Sequence, residues 1–174
     1  MADKEALRAL QNRLAQRLQE ARSTVPGRAW LAVECGGRGF LFPLQEAGEI
    51  FPMSPIAGVS HAQPWFLGVA NLRGQLNGVV DLASFLGVAS LAEGHDHAML
   101  VGFNASLDVN AALLVDRLAG LRGEGQLSVD QGASQMSPTP SFVGPRWIDA
   151  DGRSWQEISL ARLVKHPAFL KIVR

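Results

Sequence analysis

Short apolar runs separated by glycine, proline and polar residues make up most of this chain, and a helical pattern precedes them. Between residues 4 and 22, Leu7, Leu10, Leu14 and Leu18 recur at three- and four-residue steps. This spacing places them in one stripe of an amphipathic helix. The later runs are shorter, and their punctuation by glycine and proline is typical of turns between strands. The pattern predicts an N-terminal helix followed by many short β-strands.

Two roles fit the leucine stripe of this helix. It can pack on the rest of the domain, which is the interpretation we favour, or it can pair with a partner helix or tether a neighbour. The other face carries Arg8, Arg13, Arg17 and Arg22, and Val25, Pro26 and Gly27 are expected to end the helix.

The most informative run spans residues 64–87. Two strand-like segments, 67–72 and 76–82, flank Arg73, Gly74 and Gln75, which predicts a hairpin with an arginine at its tip. An arginine there contributes little to a core, but it can donate a planar fork of hydrogen bonds to a partner. The run therefore indicates a recognition surface rather than a reaction centre.

Other segments follow the same logic. Residues 45–51 are predicted as a short turn or bend, 129–140 as a polar loop, and 159–165 as a short C-terminal helix interrupted by Pro167. A second hairpin is expected to turn at Asp151 and Gly152. Further strands are predicted at residues 29–34, 40–44, 98–103, 111–115 and 155–158.

The two halves of the chain resemble each other. Residues 64–68 match residues 140–144, and residues 81–86 match residues 159–164. Each half is predicted to contain a hairpin, a bend, a loop, a second hairpin and a helical turn. Strands this short, in units this small, favour barrels, which remove exposed sheet edges. Chance similarity among short apolar strands is the alternative.

Composition narrows the class of protein. The 174 residues are 47% hydrophobic, enough for one ordinary domain or two small subdomains sharing a core. The formal net charge is zero, so the chain lacks the basic excess of a nucleic-acid binder or of a protein held to an anionic membrane. No apolar run approaches the roughly 20 residues that span a bilayer. Nucleic-acid binding and direct membrane insertion are therefore not expected.

Candidate reactive residues are few. Cys35, the single cysteine, excludes an internal disulfide, fits a cytoplasmic location and is expected to be a buried structural thiol. His95, Asp96 and His97 lie in a predicted linker, without further metal ligands nearby in the sequence. We predict no catalytic, cofactor or metal site. A small β-barrel enzyme or ligand-binding protein, suggested only by the glycine loops and isolated His and Asp residues, is the alternative.

The tip hairpin also carries a family resemblance. Residues 68–74, GVANLRG, followed by VVDL at residues 79–82, resemble the G-V-x-N-L-R-G … V-x-D-L signature of the CheW-like family of chemotaxis coupling proteins. Residues 40–50 are similar to the family's strand and bend before an acidic residue, and residues 113–116 to its second-half V-D strand. The resemblance covers about residues 29–164.

The resemblance implies a fold. We expect an all-β chain of two intertwined SH3-like five-stranded β-barrel subdomains, with an added N-terminal α-helix and a short C-terminal helix. The helix would occupy residues 1–28 and the CheW-like domain residues 29–174. Within that domain, subdomain 1 would span residues 29–90, subdomain 2 residues 91–164, and a tail residues 165–174.

It also implies a function. Such proteins are non-enzymatic adaptors that join a methyl-accepting chemoreceptor to the regulatory domain of a CheA-type histidine kinase. The adaptor would be cytoplasmic and recruited to membrane-bound receptor arrays. The tail at residues 166–170 and the leucine-rich helix resemble the branch of the family that serves type IV pilus chemosensory systems and twitching motility. A flagellar or other chemosensory pathway is the alternative.

Four residues are carried over as receptor-binding candidates. Arg73 is expected in the receptor-facing groove, or else ties two loops of its own fold. Glu49 contacts the receptor, pairs with Arg73, or is simply solvated. Asn71 bonds within the hairpin or faces the receptor, and Gly68 admits a partner or marks a bulge. Asp81 is expected to cap the helical turn after it.

Three departures from the family pattern are visible. Ala47 stands where the family usually has valine and Gly48 follows it, so this bend is expected to be looser. Residues 144–147, GPRW, stand where the family often has a pattern of small residues and glycine, which bears on the interface of the second half. Asp151 and Gly152 are expected to lengthen the second-half hairpin. That hairpin, around residues 147–154, has no arginine-glycine tip equivalent to the one of the first half, so we expect the two halves to bind differently.

Overall fold

A computed structural model describes residues 2–24, 27–88, 97–132 and 139–174. Three features of the sequence lie outside these ranges: the linker at residues 89–96 with His95 and Asp96, Val25 and Pro26 at the expected helix end, and most of the loop before residue 139.

The described part of the chain contains one long helix, three short helices and eleven strands. The helices are α1 (Ala2–Thr24), α2 (Leu82–Leu86), α3 (Leu160–Leu163) and α4 (Pro167–Leu170). The strands of the first half are β1 (Ala29–Cys35), β2 (Arg38–Pro43), β3 (Ala47–Pro52), β4 (Phe66–Leu72) and β5 (Gln75–Asp81). The strands of the second half are β6 (Met99–Phe103), β7 (Ala111–Val115), β8 (Arg117–Gly123), β9 (Leu127–Val129), β10 (Val143–Asp149) and β11 (Ser154–Ile158).

Two sheets form the body of the molecule. One has the strand order β3-β6-β7-β5-β4 and the other the order β8-β1-β2-β11-β10-β9. The predicted all-β fold of two barrel subdomains with added terminal helices is confirmed. The six-stranded sheet adds the three-residue strand β9 to the expected five.

The internal repeat is visible in the strand order. The order β8-β1-β2-β11-β10 in one sheet corresponds, strand by strand, to the order β3-β6-β7-β5-β4 in the other sheet. The hairpin β1–β2 of the first half is thus equivalent to the hairpin β6–β7 of the second half, and β4–β5 is equivalent to β10–β11. The isolated bridge between Ala57 and Val69 takes the place that β9 has beside β10. In each sheet a hairpin of one half lies between strands of the other half: β6–β7 lies between β3 and β5, and β1–β2 lies between β8 and β11. The second strand of each inserted hairpin, β7 or β2, makes the parallel contact. The two halves are therefore intertwined.

This exchange bears on the expected subdomains. Each sheet combines strands from both sides of the boundary at residues 90 and 91, which itself lies outside the described residues. The two subdomains at residues 29–90 and 91–164 therefore stay a prediction about the halves of the sequence. In the structure, each sheet contains strands from both halves.

Three elements differ from the sequence-based expectation. Residues 47–52 form the strand β3 rather than a turn, because β6, about 50 residues later in the chain, supplies its hydrogen-bonding partner. The strands β8 and β9 were not predicted, and β9 ends at Val129, where the predicted loop begins. They gain their partners from β1 and β10. Pairing with distant segments outweighs local propensity in all three.

The core unites the two halves. Its main cluster includes Leu31 and Phe42 of the six-stranded sheet and Leu113 of the five-stranded sheet. Leu82 and Leu160, which open α2 and α3 at equivalent places in the repeat, are both fully buried there. The side chains of Asp81 and Ser159 cap these two helices, as predicted for Asp81.

The tryptophans anchor the core. Trp30, Trp147 and Trp155 are buried in a second cluster within the six-stranded sheet. Trp65 is half-buried and stacks on Phe169 of α4, with ring centroids 6.1 Å apart. The C-terminal tail is thereby fixed to the start of the tip hairpin.

Candidate functional site

The tip of the β4–β5 hairpin is a two-residue turn. Leu72 pairs with Gln75, which leaves Arg73 and Gly74 as the turn, one residue fewer than the sequence suggested. Both have positive φ, 51° and 81°. That combination belongs to the type I′ turn, whose twist matches that of paired strands. The Asn71 side chain accepts a hydrogen bond of 2.8 Å from the Gly74 amide, so Asn71 stabilises the turn from within.

Arg73 and Glu49 are brought together by this turn. The Arg73 guanidinium (Nη1) forms an ion pair with the Glu49 carboxylate (Oε1), which is carried by β3 at the edge of the same sheet. The side chains are 72% and 41% exposed. An ion pair this exposed contributes about 0 to 1 kcal/mol, because water solvates the separated charges almost as well. Glu49 therefore holds the guanidinium in position, yet replacing Glu49 by another carboxylate costs little free energy.

A cleft of about 490 Å³ opens beside this ion pair. Its floor and one wall come from β3, the residues after it, and the hairpin tip. The opposite wall is α1. The lining residues that matter here are Glu49, Phe51, Ser54, Asn71 and Arg73 from the body, and Gln11, Asn12, Leu14, Ala15 and Leu18 from α1. The participation of α1 was not predicted, because a leucine stripe specifies a buried face but not its position.

Gly68 meets another part of its own chain. A Cβ atom at this position would overlap the carbonyl oxygen of Ala57, and the φ of Gly68 is 140°. The register of β4 against β5 shifts between Phe66 and Gly68, which is the bulge considered in the sequence analysis. The absence of a side chain at Gly68 thus serves the bridge between Ala57 and Val69.

The bend before Glu49 is closely packed rather than loose. Ala47 is fully buried, and a Cβ atom at Gly48 would overlap the carbonyl oxygen of Phe103. The small residues at these two positions let β3 approach β6, so the expectation of a looser surface was wrong. This packing fixes the backbone that carries Glu49.

The equivalent hairpin of the second half has its own arginine. Arg153, next to Gly152 in the β10–β11 turn, donates a hydrogen bond to Glu34 of β1, and Arg117 of β8 donates a second one of 2.9 Å. Desolvation raises the pKa of the Glu34 carboxyl, but the hydrogen bonds and charges of the two arginines outweigh it and lower that pKa overall. The two tips therefore differ: Arg153 is bound to Glu34 within its own fold, whereas Arg73 borders a cleft.

Cys35 and His166 each have a local structural role. Cys35 is buried, and desolvation raises the pKa of its thiol to about 12, so it behaves as a structural thiol. His166 caps α4 through Nδ1. Among the described residues, no group of three or more His, Cys, Asp and Glu side chains could hold a metal ion. No described helix is long and apolar enough to cross a membrane.

Comparison with known proteins gives consistent matches. Residues 29–168 match the model of the CheW-like domain. The chain is 29% identical to protein PilI of Pseudomonas aeruginosa over 162 residues, which cover 92% of this chain and 88% of that protein. It is 30% identical to the chemotaxis protein CheW of Rhizobium meliloti over 117 residues, which cover 67% of this chain and 70% of that protein.

A solved structure has the same fold. The scaffolding protein TtCheW from Thermoanaerobacter tengcongensis superposes with a TM-score of 0.59 at 14% identity. The superposition covers 76% of this chain and 88% of that structure. The tip signature, the intertwined sheets and the match over most of the sequence agree, and the chain belongs to the CheW-like domain family.

Proposed function

We propose that this chain is a non-enzymatic adaptor that couples a methyl-accepting chemoreceptor to the regulatory domain of a CheA-type histidine kinase. The exposed Arg73, set on a rigid two-residue turn and held beside the cleft by Glu49, carries the proposal. A planar guanidinium in this setting suits recognition of a carboxylate on the receptor. The protein would work in the cytoplasm, at receptor arrays on the membrane.

A type IV pilus chemosensory system is the pathway we propose. The likeness to PilI extends over 92% of the chain, which is more than the residues 29–168 that match the CheW-like domain. Coupling in a flagellar or other chemosensory pathway is the second candidate, and the similarity to a chemotaxis protein CheW supports it.

The receptor role of the tip is tested by charge reversal. Arg73→Asp should weaken co-sedimentation with receptor fragments by about tenfold or more, the effect of removing an interfacial arginine that dominates binding. Aspartate tolerates the positive φ of this turn, so the fold should persist. Arg38→Asp is the matched control, because Arg38 is an exposed arginine at the start of β2 in the other sheet.

Circular dichroism and the melting temperature establish that both variants are folded. If Arg73→Asp and Arg38→Asp bind receptor fragments as the unmodified protein does, the tip is not the receptor contact. Loss of binding in both variants to the same degree would indicate a general charge effect and would also contradict the proposal.

A further inference from the structure

The long helix α1 lies against the same surface that carries Arg73. Its 23 residues extend about 35 Å, yet they meet the body of the domain unevenly. Leu18 is 6% exposed and joins the main core cluster, and Leu14 is half-buried at the cleft. Leu7 and Leu10, earlier in the same stripe, are 52% and 55% exposed. Leu14 and Leu18 therefore dock on the body of the domain, whereas Leu7 and Leu10 do not.

The docking of α1 on the body of the domain is reversible. In proteins, most of the stability of an amphipathic helix comes from packing of its apolar face, so α1 depends on its contact with the body. That contact is supplied by Leu14 and Leu18, with Gln11, Asn12 and Ala15 beside them in the cleft. Because β1 begins at Ala29, five residues after α1 ends, a detached α1 remains close to the cleft.

We propose that α1 is an internal ligand of the cleft and is displaced when a partner helix binds there. The surface that receives Leu14 and Leu18 would receive the apolar stripe of the partner instead. The groups that the cleft already holds indicate the chemistry of the partner. The partner is an amphipathic helix with leucine-sized side chains at helical spacing. It also carries a carboxylate that replaces Glu49 on Arg73. That this helix belongs to a receptor rests on the proposed function.

Displacement follows from the overlap of positions. Glu49, Phe51, Ser54 and Arg73 line one side of the cleft while α1 forms the other side. A helix that reached Arg73 along the cleft would occupy the space of Leu14 and its neighbours. If α1 is docked nine-tenths of the time or more, the apparent affinity of the partner falls by about tenfold or more.

The test uses two matched double variants of the full chain. Leu14→Asp with Leu18→Asp should detach α1, and Leu7→Asp with Leu10→Asp makes the same chemical change on exposed positions of the same helix. The first variant should bind a receptor fragment at least about tenfold more tightly than the unmodified protein. The second should bind it with unchanged affinity. Leu14→Asp alone, at a half-buried site, serves as the detaching variant if the double variant fails to fold.

A fluorescent peptide of residues 2–24 separates this proposal from the receptor assignment. It should bind the detached variant and bind the unmodified protein at least about tenfold more weakly, since α1 already fills the cleft. A peptide carrying both aspartates should not bind. If the unaltered peptide fails to bind the detached variant, or binds all forms equally, the proposal is overturned. If it binds but receptor fragments do not displace it, the cleft holds an amphipathic helix and the receptor role fails.

Discussion

At the scale of single residues, Arg73 and Glu49 carry the functional argument. Both charges are largely solvated, so their mutual attraction stabilises the fold little. The turn beneath Arg73 is fixed independently, by the hydrogen bond from the Gly74 amide to Asn71. An arginine whose backbone is fixed and whose ion pair is weak can exchange Glu49 for a carboxylate of a partner.

A charge swap distinguishes a partner contact from an internal tie. Arg73→Glu should abolish receptor binding, and Arg73→Glu combined with Glu49→Arg should restore the internal ion pair without restoring binding. Both variants should keep the free energy of unfolding within about 1 kcal/mol of the unmodified protein. Urea denaturation and a receptor titration measure the two quantities. Recovery of receptor binding in the swapped variant would mean that Arg73 acts by holding its own fold.

At the scale of elements, the tip hairpin depends on the loop that runs beside β4. Gly68 lets Ala57 bridge to Val69, and this contact covers the outer edge of the five-stranded sheet. The loop thus does for this sheet what β9 does for the other. Covering an edge limits pairing with foreign strands and holds β4 in register.

Replacing Gly68 should therefore be costly. In Gly68→Ala the added methyl group overlaps the Ala57 carbonyl and the backbone stays at a φ that alanine disfavours. We expect a loss of about 2 to 4 kcal/mol in the free energy of unfolding. Gly58→Ala is the control, because a Cβ there has no neighbour within 4 Å, and it should change stability by less than about 1 kcal/mol. Equal destabilisation by both changes, measured by urea denaturation, would disprove the role given to Gly68.

The same elements show what sequence could predict. The hairpin was predictable because its two strands are adjacent and its turn chemistry is local. The strand β3 was not, since Gly48 and Pro52 weaken its local signal and its partner β6 lies far along the chain. Helix α1 was predictable as a helix, but periodicity does not say which surface receives Leu18. Three residues that line the cleft, Arg73, Asn71 and Glu49, could thus be singled out from the sequence as candidates, and its α1 wall could not.

At the scale of the whole molecule, exchange of strands makes the two halves depend on each other. Glu34 of β1 illustrates this, since its arginine partners Arg117 and Arg153 both belong to the second half. Its pKa is lower in the folded state than in the unfolded chain. The ionised carboxylate therefore stabilises the fold above the unfolded pKa, near 4.5, and this contribution is lost as the pH falls through the folded pKa.

Acid titration of stability tests this connection. Glu34→Gln should lower the free energy of unfolding by about 1 to 2 kcal/mol at pH 7, because charge-assisted hydrogen bonds to two arginines are weakened. The difference from the unmodified protein should shrink at pH 3, where Glu34 of the unmodified protein is largely neutral in the unfolded chain. The stability of Glu34→Gln should still depend on acid to some degree because of Asp149. The pKa of Asp149 is lowered chiefly by the hydrogen bond from Trp155. A difference that is the same at pH 3 and pH 7 would contradict this role of Glu34.

We propose that this chain bridges a receptor and a kinase, with Arg73 on the receptor side. The most direct measurement is co-sedimentation of a CheA-type kinase fragment with receptor-bearing membranes, with and without this protein. We expect the kinase to sediment only when the protein is present. Arg73→Asp should abolish this sedimentation and should still bind the isolated kinase fragment. Sedimentation of the kinase at the same level without the protein, or undiminished with Arg73→Asp, would contradict it.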